Sequence, residues 1–149
     1  MRDQTFEYKA ETREPKNVRV GQRIAGAYEV WCTVRELGSM PQEHFCALDL
    51  NGRHVLIEKR IIAVGTLNGV ETHPRDIFRG AIQNNACAII LAHNHPSQNL
   101  EPSTNDIEMT KRIVDVGKLV GIPVLDHVIV GTDGFVSMQH RDVGGFNRP

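Results

Sequence analysis

A short apolar run that ends in two closely spaced histidines is the feature that most constrains the fold of this chain. The run, residues 86–92 (ACAIILA), is too short to cross a bilayer and contains adjacent isoleucines, so it predicts a buried β-strand. His93 and His95 follow directly beyond its end. Because side chains at i and i+2 of an extended backbone project to the same side, both imidazoles can converge on one point.

An amphipathic helix is predicted shortly after the histidines. Pro96 ends the strand, a polar loop follows, and apolar residues then recur at helical spacing from Ser103 to about Leu119. Asp106 falls in the first helical turn, where it can face back toward the strand end. Ser103 and Asp106 also resemble a capping box, although Glu or Gln is its usual second member. The pair can therefore cap the helix, carry a function, or do both.

A single divalent ion can be bound by two imidazoles and one carboxylate, those of His93, His95 and Asp106. Three protein ligands that leave a position for water are typical of catalytic zinc sites, whereas structural zinc sites usually have four. Hydrolysis at such a site also needs a general base and a donor to the oxyanion. Spacing along the chain leaves the base open among the glutamates Glu29, Glu36, Glu43, Glu58 and Glu71. Glu43 stands where a loop enters a predicted strand, at a possible sheet edge.

The pattern His93-x-His95-x7-Ser103-x2-Asp106 resembles the motif of the JAMM metalloproteases. Three further stretches are similar to the RadC family, the bacterial branch of that superfamily: residues 42–45 (QEHF), 72–75 (THPR) and 121–131 (GIPVLDHVIVG). Asn94 stands where the eukaryotic branch commonly has Ser or Thr, and it matches RadC-like proteins. The resemblance extends over about residues 40–138.

This resemblance implies a zinc-dependent hydrolase of metallopeptidase type that cleaves a peptide, isopeptide or related amide bond in a peptide or protein substrate. It implies one zinc ion per chain, held by His93, His95 and Asp106, with Glu43 as the general base and Ser103 as the oxyanion donor. The alternative that it leaves is a metal-binding accessory domain in DNA repair or mobile-element biology, without hydrolytic activity.

Two polar residues on a predicted buried strand, Asp126 and His127, are candidates for a supporting role. A metal-bound histidine usually donates its other N–H to a carboxylate or carbonyl, and Asp126 is the candidate acceptor. The alternative interpretation is a structural polar pair. Zinc-dependent deamination is disfavoured, because the His/Cys-x-Glu and Pro-Cys-x-x-Cys patterns that it requires are both missing from the sequence.

Composition narrows the partners and the cellular location. A net charge of −1 offers no basic field for a phosphate backbone, so nucleic-acid binding is not supported. No segment approaches the roughly 18 apolar residues of a membrane span, and no apolar signal core follows Met1, so a cytoplasmic protein is expected. The three cysteines show no Cys-x-x-Cys spacing, which argues against a disulfide framework. Cys46 and Cys87 are expected in the core, on strands.

The remaining pattern predicts an α/β domain with a partly parallel sheet. Further elements are predicted at residues 21–37 (helix), 43–50 and 53–64 (a hairpin around Asn51-Gly52), 73–84 (helix), 124–130 (strand) and 135–138 (strand). Sheets of this kind place sites beyond the carboxyl ends of their strands, where the histidines lie. The resemblance implies a three-layer α/β/α domain with a mixed sheet, of the cytidine-deaminase-like (JAB/MPN) architecture. Residues 19–140 are assigned to this single domain, 1–18 to a flexible N-terminal arm and 141–149 to a C-terminal tail.

Overall fold

The computed structural model describes residues 7–9, 19–65 and 72–146, the first of these stretches by its backbone alone. The strands are β1 (Glu7–Lys9), β2 (His44–Leu50), β3 (Leu56–Val64), β4 (Ala88–Asn94), β5 (Val124–Val130) and β6 (Gly134–Ser137). The α-helices are α1 (Ala27–Thr33), α2 (Pro74–Gln83) and α3 (Thr104–Val120), and a 3₁₀ helix covers Arg35–Ser39. No helix in these stretches is both long and apolar enough to cross a membrane.

The described strands form one mixed sheet in the order β1-β6-β5-β4-β2-β3. Its inner strand β4 pairs parallel with β5, and α3 provides the crossover that a parallel connection needs. On its other side β4 pairs antiparallel with β2, with Phe45 opposite His93. Because antiparallel neighbours run in opposite directions, β2 begins where β4 ends. The residues that precede β2 therefore lie beside those that follow β4.

Helices cover both faces of this sheet, which confirms the predicted three-layer α/β/α arrangement. Alternate residues of a strand point to opposite faces, and the central strands feed two separate cores in this way. One core packs on the α1 side and includes Trp31, Cys46, Leu48, Leu50 and Val128. The other packs on the side of α2 and α3 and includes Phe45, Ala47, Ile77, Leu91 and Ile113.

The first helix is shorter than the predicted 21–37, because α1 spans only Ala27–Thr33 before the 3₁₀ turn. Ile24 is buried as its apolar character suggested, but its N–H bonds to the carbonyl of His54 at 2.8 Å, next to the β2–β3 hairpin. Gly21 adopts a φ of 90°, and Gly26 is extended at the helix N-cap. The φ of Gly21 lies in the left-handed region that favours glycine, and a pattern of apolar spacing does not show it.

The hairpin lies where Asn51-Gly52 predicted it, but its loop is longer than a two-residue turn and β3 begins at Leu56. The side chain of Asn51 accepts hydrogen bonds from the N–H groups of Arg53 and Val55, at 2.8 and 3.0 Å. The residue with positive φ is His54, at 60°, rather than the glycine. The side chain of Asn51 thus stabilises the wider loop.

Strand β4 runs from Ala88 to Asn94, two residues later at its end than predicted, so His93 lies within the strand. Its parallel pairing with β5 continues as far as Asn94 and Val130, which extends the ladder past the apolar run. Cys87 precedes the strand and is exposed, contrary to its predicted core position. Cys46 is buried as predicted, and burial raises the pKa of its thiol to about 12.

Parts of both predicted terminal segments belong to the folded unit. Within the segment predicted as a flexible arm, Glu7–Lys9 pairs antiparallel with β6 as an edge strand, and the rest of 1–18 lies outside the described residues. Backbone hydrogen bonds to β6 hold this short polar strand. Its sequence therefore shows no apolar alternation from which a strand could be predicted. Within the predicted tail, Val143 and Phe146 pack against a small core that contains Met138.

Candidate metal centre

Four side chains converge where β4 ends and α3 begins. Nε2 of His93 and Nε2 of His95 lie 3.0 Å apart. The carboxylate of Asp106 places Oδ1 3.3 Å from the first of these nitrogens and Oδ2 3.1 Å from the second. Oε1 of Glu43 lies 3.6 Å from Nε2 of His93. All four offer a ligand atom within 4.8 Å of the others, so they form a group that can hold a metal ion.

The imidazole rings of His93 and His95 are oriented by different neighbours. His93 is buried and stacks on Phe45, its partner across β2 and β4, with ring centroids 6.0 Å apart. His95 follows the strand and lies closer to solvent, and its Nδ1 bonds to the carbonyl of Asn99 at 2.7 Å. A carbonyl only accepts, so Nδ1 of His95 carries a proton and its Nε2 is the nitrogen that can bind a metal ion. The loop after β4 thereby sets the tautomer of His95.

Asp106 helps to cap α3 and also belongs to the group that can hold a metal ion. Oγ of Ser103 accepts from the N–H of Asp106 at 3.0 Å, and Oδ2 of Asp106 accepts from the N–H of Ser103 at 2.9 Å. This is a capping box with Asp in the position of the usual Glu, so the capping interpretation of the sequence is confirmed. The same carboxylate also faces both histidines. The first turn of a helix favours a negative charge, which helps to keep Asp106 ionised.

A buried chain of hydrogen bonds runs from His93 away from the group. Its Nδ1 lies 2.7 Å from Nε2 of His127, and Nδ1 of His127 lies 2.6 Å from Oγ1 of Thr110. The Thr110 hydroxyl donates to the carbonyl of Asp106 at 2.6 Å, so it accepts from Nδ1–H of His127. Nε2 of His127 must then accept from Nδ1–H of His93. With this direction, Nε2 of His93 is the nitrogen that can bind a metal ion.

The charges of the group favour a cation at its centre. Burial opposes ionisation of Asp106, but its hydrogen bonds to His93 and His95 outweigh that cost and hold the pKa of its carboxyl well below the ordinary value. Burial also opposes the charged form of His95, yet the hydrogen bond and charge of Asp106 outweigh it and raise the pKa of the ring. Burial, with a contribution from His93, lowers the pKa of His127 far below its usual range, so this ring is neutral.

The structure separates the two supporting candidates on β5. His127 contacts His93, whereas Asp126 points to the opposite face of the strand. The Asp126 carboxylate accepts from Oγ of Ser137 at 2.7 Å and from the N–H of Gln139 at 3.0 Å. Its predicted contact with a candidate ligand is therefore wrong, and its alternative interpretation as a structural polar group fits these bonds.

The sequence interpretation missed Thr110, which links His127 to the backbone of Asp106. The sequence feature that could have indicated Thr110 is its hydroxyl four residues after Asp106, on the same buried side of α3. Of the alternative glutamates, Glu36 pairs with Lys59 on the surface, Glu58 accepts from Asn84, Glu29 lies on α1, and Glu71 lies outside the described residues. Among the glutamates that the structure describes, Glu43 joins the group.

We expect His127→Phe to weaken metal binding without removing a candidate ligand. Phe fills the apolar surroundings, but it offers no acceptor to Nδ1–H of His93, so the ring loses the contact that fixes its tautomer. Loss of such an outer partner typically costs about 10- to 100-fold in metal affinity. Competition with a chromophoric chelator measures the change. Thr110→Val, which removes only the last link of the chain, should cost less, and unchanged affinity in both variants would contradict the proposed orientation.

A three-layer α/β/α domain with this histidine and carboxylate group at the end of an inner strand has the features of a JAB domain. Residues 25–143 match the family model described as RadC-like JAB domain. The chain therefore belongs to the RadC-like JAB domain family, as its motifs indicated.

Curated relatives support the same assignment. The chain is 49% identical over 111 residues to a UPF0758 protein of Finegoldia magna, which covers 74% of this chain and 49% of that protein. It is 42% identical over 122 residues to a UPF0758 protein of Desulforudis audaxviator, which covers 82% of this chain and 51% of the relative. The chain thus spans about half the length of the curated relatives that it matches.

Proposed function

We propose that this domain is a zinc-dependent hydrolase that cleaves a peptide, isopeptide or related amide bond. The observation that carries the proposal is the position of Glu43. Its carboxylate lies 3.6 Å from Nε2 of His93, and its side chain is 24% exposed, whereas that of His93 is 1% exposed. A metal site that only stabilises a fold has no need of a solvent-accessible carboxylate beside its three ligands. A hydrolase needs one as its general base.

Zinc suits the donor set of His93, His95 and Asp106. Two imidazole nitrogens and one carboxylate oxygen are usual zinc ligands, and three protein ligands leave a position for water. The outer nitrogens of both rings are held by other partners, which is the arrangement that metal-binding histidines usually show. A bound zinc ion would lower the pKa of a water molecule and polarise the substrate carbonyl. We infer one ion per chain.

Glu43 and Ser103 supply the remaining chemistry in this proposal. Glu43 accepts a proton from the attacking water and passes it to the leaving nitrogen of the amide. The Ser103 oxygen uses a lone pair to cap α3, which leaves its hydroxyl hydrogen to donate to the substrate oxyanion. The capping box ties Ser103 directly to Asp106, one of the proposed ligands, which supports this role.

The substrate class follows from the reaction and from the charge of the chain. Amide cleavage by an activated water implies a peptide or protein substrate, and a net charge of −1 gives no support for a nucleic acid. The test is a screen of peptides, isopeptide-linked peptides and small amides with zinc-loaded and chelator-treated protein. We expect metal-dependent cleavage of at least one class. Zinc-loaded protein that cleaves none of them would favour the accessory-domain alternative.

Substitutions of Ser103 should separate capping from catalysis. Ser103→Ala removes both functions, so we expect about 0.5–2 kcal/mol of lost stability and roughly a 10²- to 10³-fold lower rate. Ser103→Gly should lose the same rate, although glycine at an N-cap costs only a few tenths of a kcal/mol. Ser103→Thr keeps the hydroxyl and should retain both. Thermal unfolding and turnover measure the two effects, and wild-type turnover in the glycine variant would remove Ser103 from the proposed reaction.

A further inference from the structure

Asn94 lies between the two candidate histidine ligands, but its side chain contacts the strand that carries Glu43. Asn94 is completely buried. Its Oδ1 accepts from the N–H of His44 at 2.6 Å, and its Nδ2 donates to the carbonyl of Gln42 at 3.0 Å. The amide thus holds the backbone on both sides of Glu43. The opposite amide orientation would place two donors and two acceptors face to face, so the bonds themselves fix the orientation.

The hydrogen bonds of the Asn94 side chain continue the connection between β2 and β4 where their backbone pairing ends. The pairing of β2 with β4 ends at Phe45 and His93, one residue before Asn94. Beyond it the Asn94 side chain provides the hydrogen bonds between the two segments. On the other side, the N–H of Gly65 donates to the carbonyl of Glu43 at 2.7 Å, at the end of β3. The backbone of Glu43 is therefore held from both neighbouring segments.

We propose that Asn94 is a positioning residue that fixes the Glu43 carboxylate relative to the metal ligands. This inference rests on the proposed function, in which Glu43 is the general base. His93, Asn94 and His95 are consecutive, so one short backbone segment orients two ligands and, through the amide, the base. A general base must lie within hydrogen-bond reach of the proton that it takes. A displacement of about 1 Å can cost on the order of 10² in rate.

The test compares Asn94→Ala with Asn51→Ala. Asn51 also bonds through its side chain to backbone groups, Arg53 N and Val55 N, but at the far end of β2. Both variants lose a buried or half-buried amide that organises a strand end. We expect both to bind zinc in full. Only Asn94→Ala should lower kcat, on the order of 10²-fold, with KM close to that of the wild type.

Two further measurements distinguish positioning from a general loss of stability. In a Glu43→Gln background, Asn94→Ala should change the residual rate by no more than about twofold, because residues that act through one another are not additive. Crystal structures of the zinc-loaded proteins should show the Glu43 carboxylate displaced in Asn94→Ala and in place in Asn51→Ala, with the ligands unchanged in both. If the alanine variant does not fold, Asn94→Ser, which puts a short hydroxyl in place of the amide, is used instead.

Each outcome decides the proposal. The proposal is overturned if the Glu43 carboxylate does not move in zinc-loaded Asn94→Ala. It is also overturned if Asn94→Ala lowers the rate as much in the Glu43→Gln background as it does in the wild type. Loss of zinc from Asn94→Ala would overturn it as well, because Asn94 would then support the ligands. If the wild type cleaves no amide, the proposed function fails separately. The position of the Glu43 carboxylate in the crystal structures then still shows whether Asn94 fixes it.

Discussion

Glu43→Gln should abolish nearly all hydrolysis while the protein keeps its full zinc content. Gln preserves the size of the side chain but cannot accept and pass on a proton, and general base catalysis is typically worth about 10²- to 10⁴-fold in rate. Because His93, His95 and Asp106 remain, the ion stays bound. Steady-state turnover, elemental analysis and thermal unfolding of the same preparation measure the three properties together.

A matched substitution controls for the loss of a carboxylate elsewhere on the surface. Glu36→Gln removes the charge that pairs with Lys59, away from the metal group, and should leave turnover unchanged. If Glu43→Gln turns over like the wild type, Glu43 is not the base. If Glu43→Gln instead loses zinc, Glu43 is a fourth ligand, a role that its place among the four converging side chains also allows.

Removal of one proposed ligand should cost most of the bound zinc. The wild type should carry about one equivalent per chain, and His93→Ala or Asp106→Asn should carry little after dialysis. The loss of affinity should exceed the roughly 10- to 100-fold cost of losing an outer partner. Asp106→Asn is the sharper variant, because the Asn oxygen can still accept from the N–H of Ser103 and preserve the cap.

His54→Ala serves as the control for the ligand variants. His54 is an exposed histidine of the β2–β3 loop, so its removal should leave the zinc content unchanged. Full occupancy in either His93→Ala or Asp106→Asn would mean that the metal lies elsewhere. Partial occupancy in Asp106→Asn, with none in His93→Ala, would indicate that the amide oxygen replaces the carboxylate as a weaker ligand.

The local part of the site could be predicted from sequence because strand, loop and helix follow one another directly. His93, His95 and Asp106 belong to this unit, and the periodicity of the two elements sets their direction. Glu43 is distant in sequence and reaches the group through the antiparallel register of β2 and β4. No local pattern encodes that register, so the family resemblance had to select Glu43 from the other glutamates.

The roles of Asp126 and His127 could not be resolved from sequence for a related reason. β5 is covered by apolar residues on both faces, so alternation along the strand does not show which face meets the site. The structure places His127 on the α3 side, where Thr110 completes its hydrogen bonds. The boundary of α1 was missed because backbone conformation at Gly21 and Gly26, rather than apolar spacing, decides where the helix begins.

The most direct test of the proposed zinc hydrolase is turnover measured against bound zinc. Metal-free protein is titrated with zinc in the presence of a cleavable amide, and bound metal is determined in the same samples. We predict that the rate rises in proportion to bound zinc and saturates at about one equivalent per chain, while Glu43→Gln binds zinc equally but gives almost no rate. Wild-type protein that binds its full equivalent and cleaves no peptide, isopeptide or small amide would contradict the proposed function.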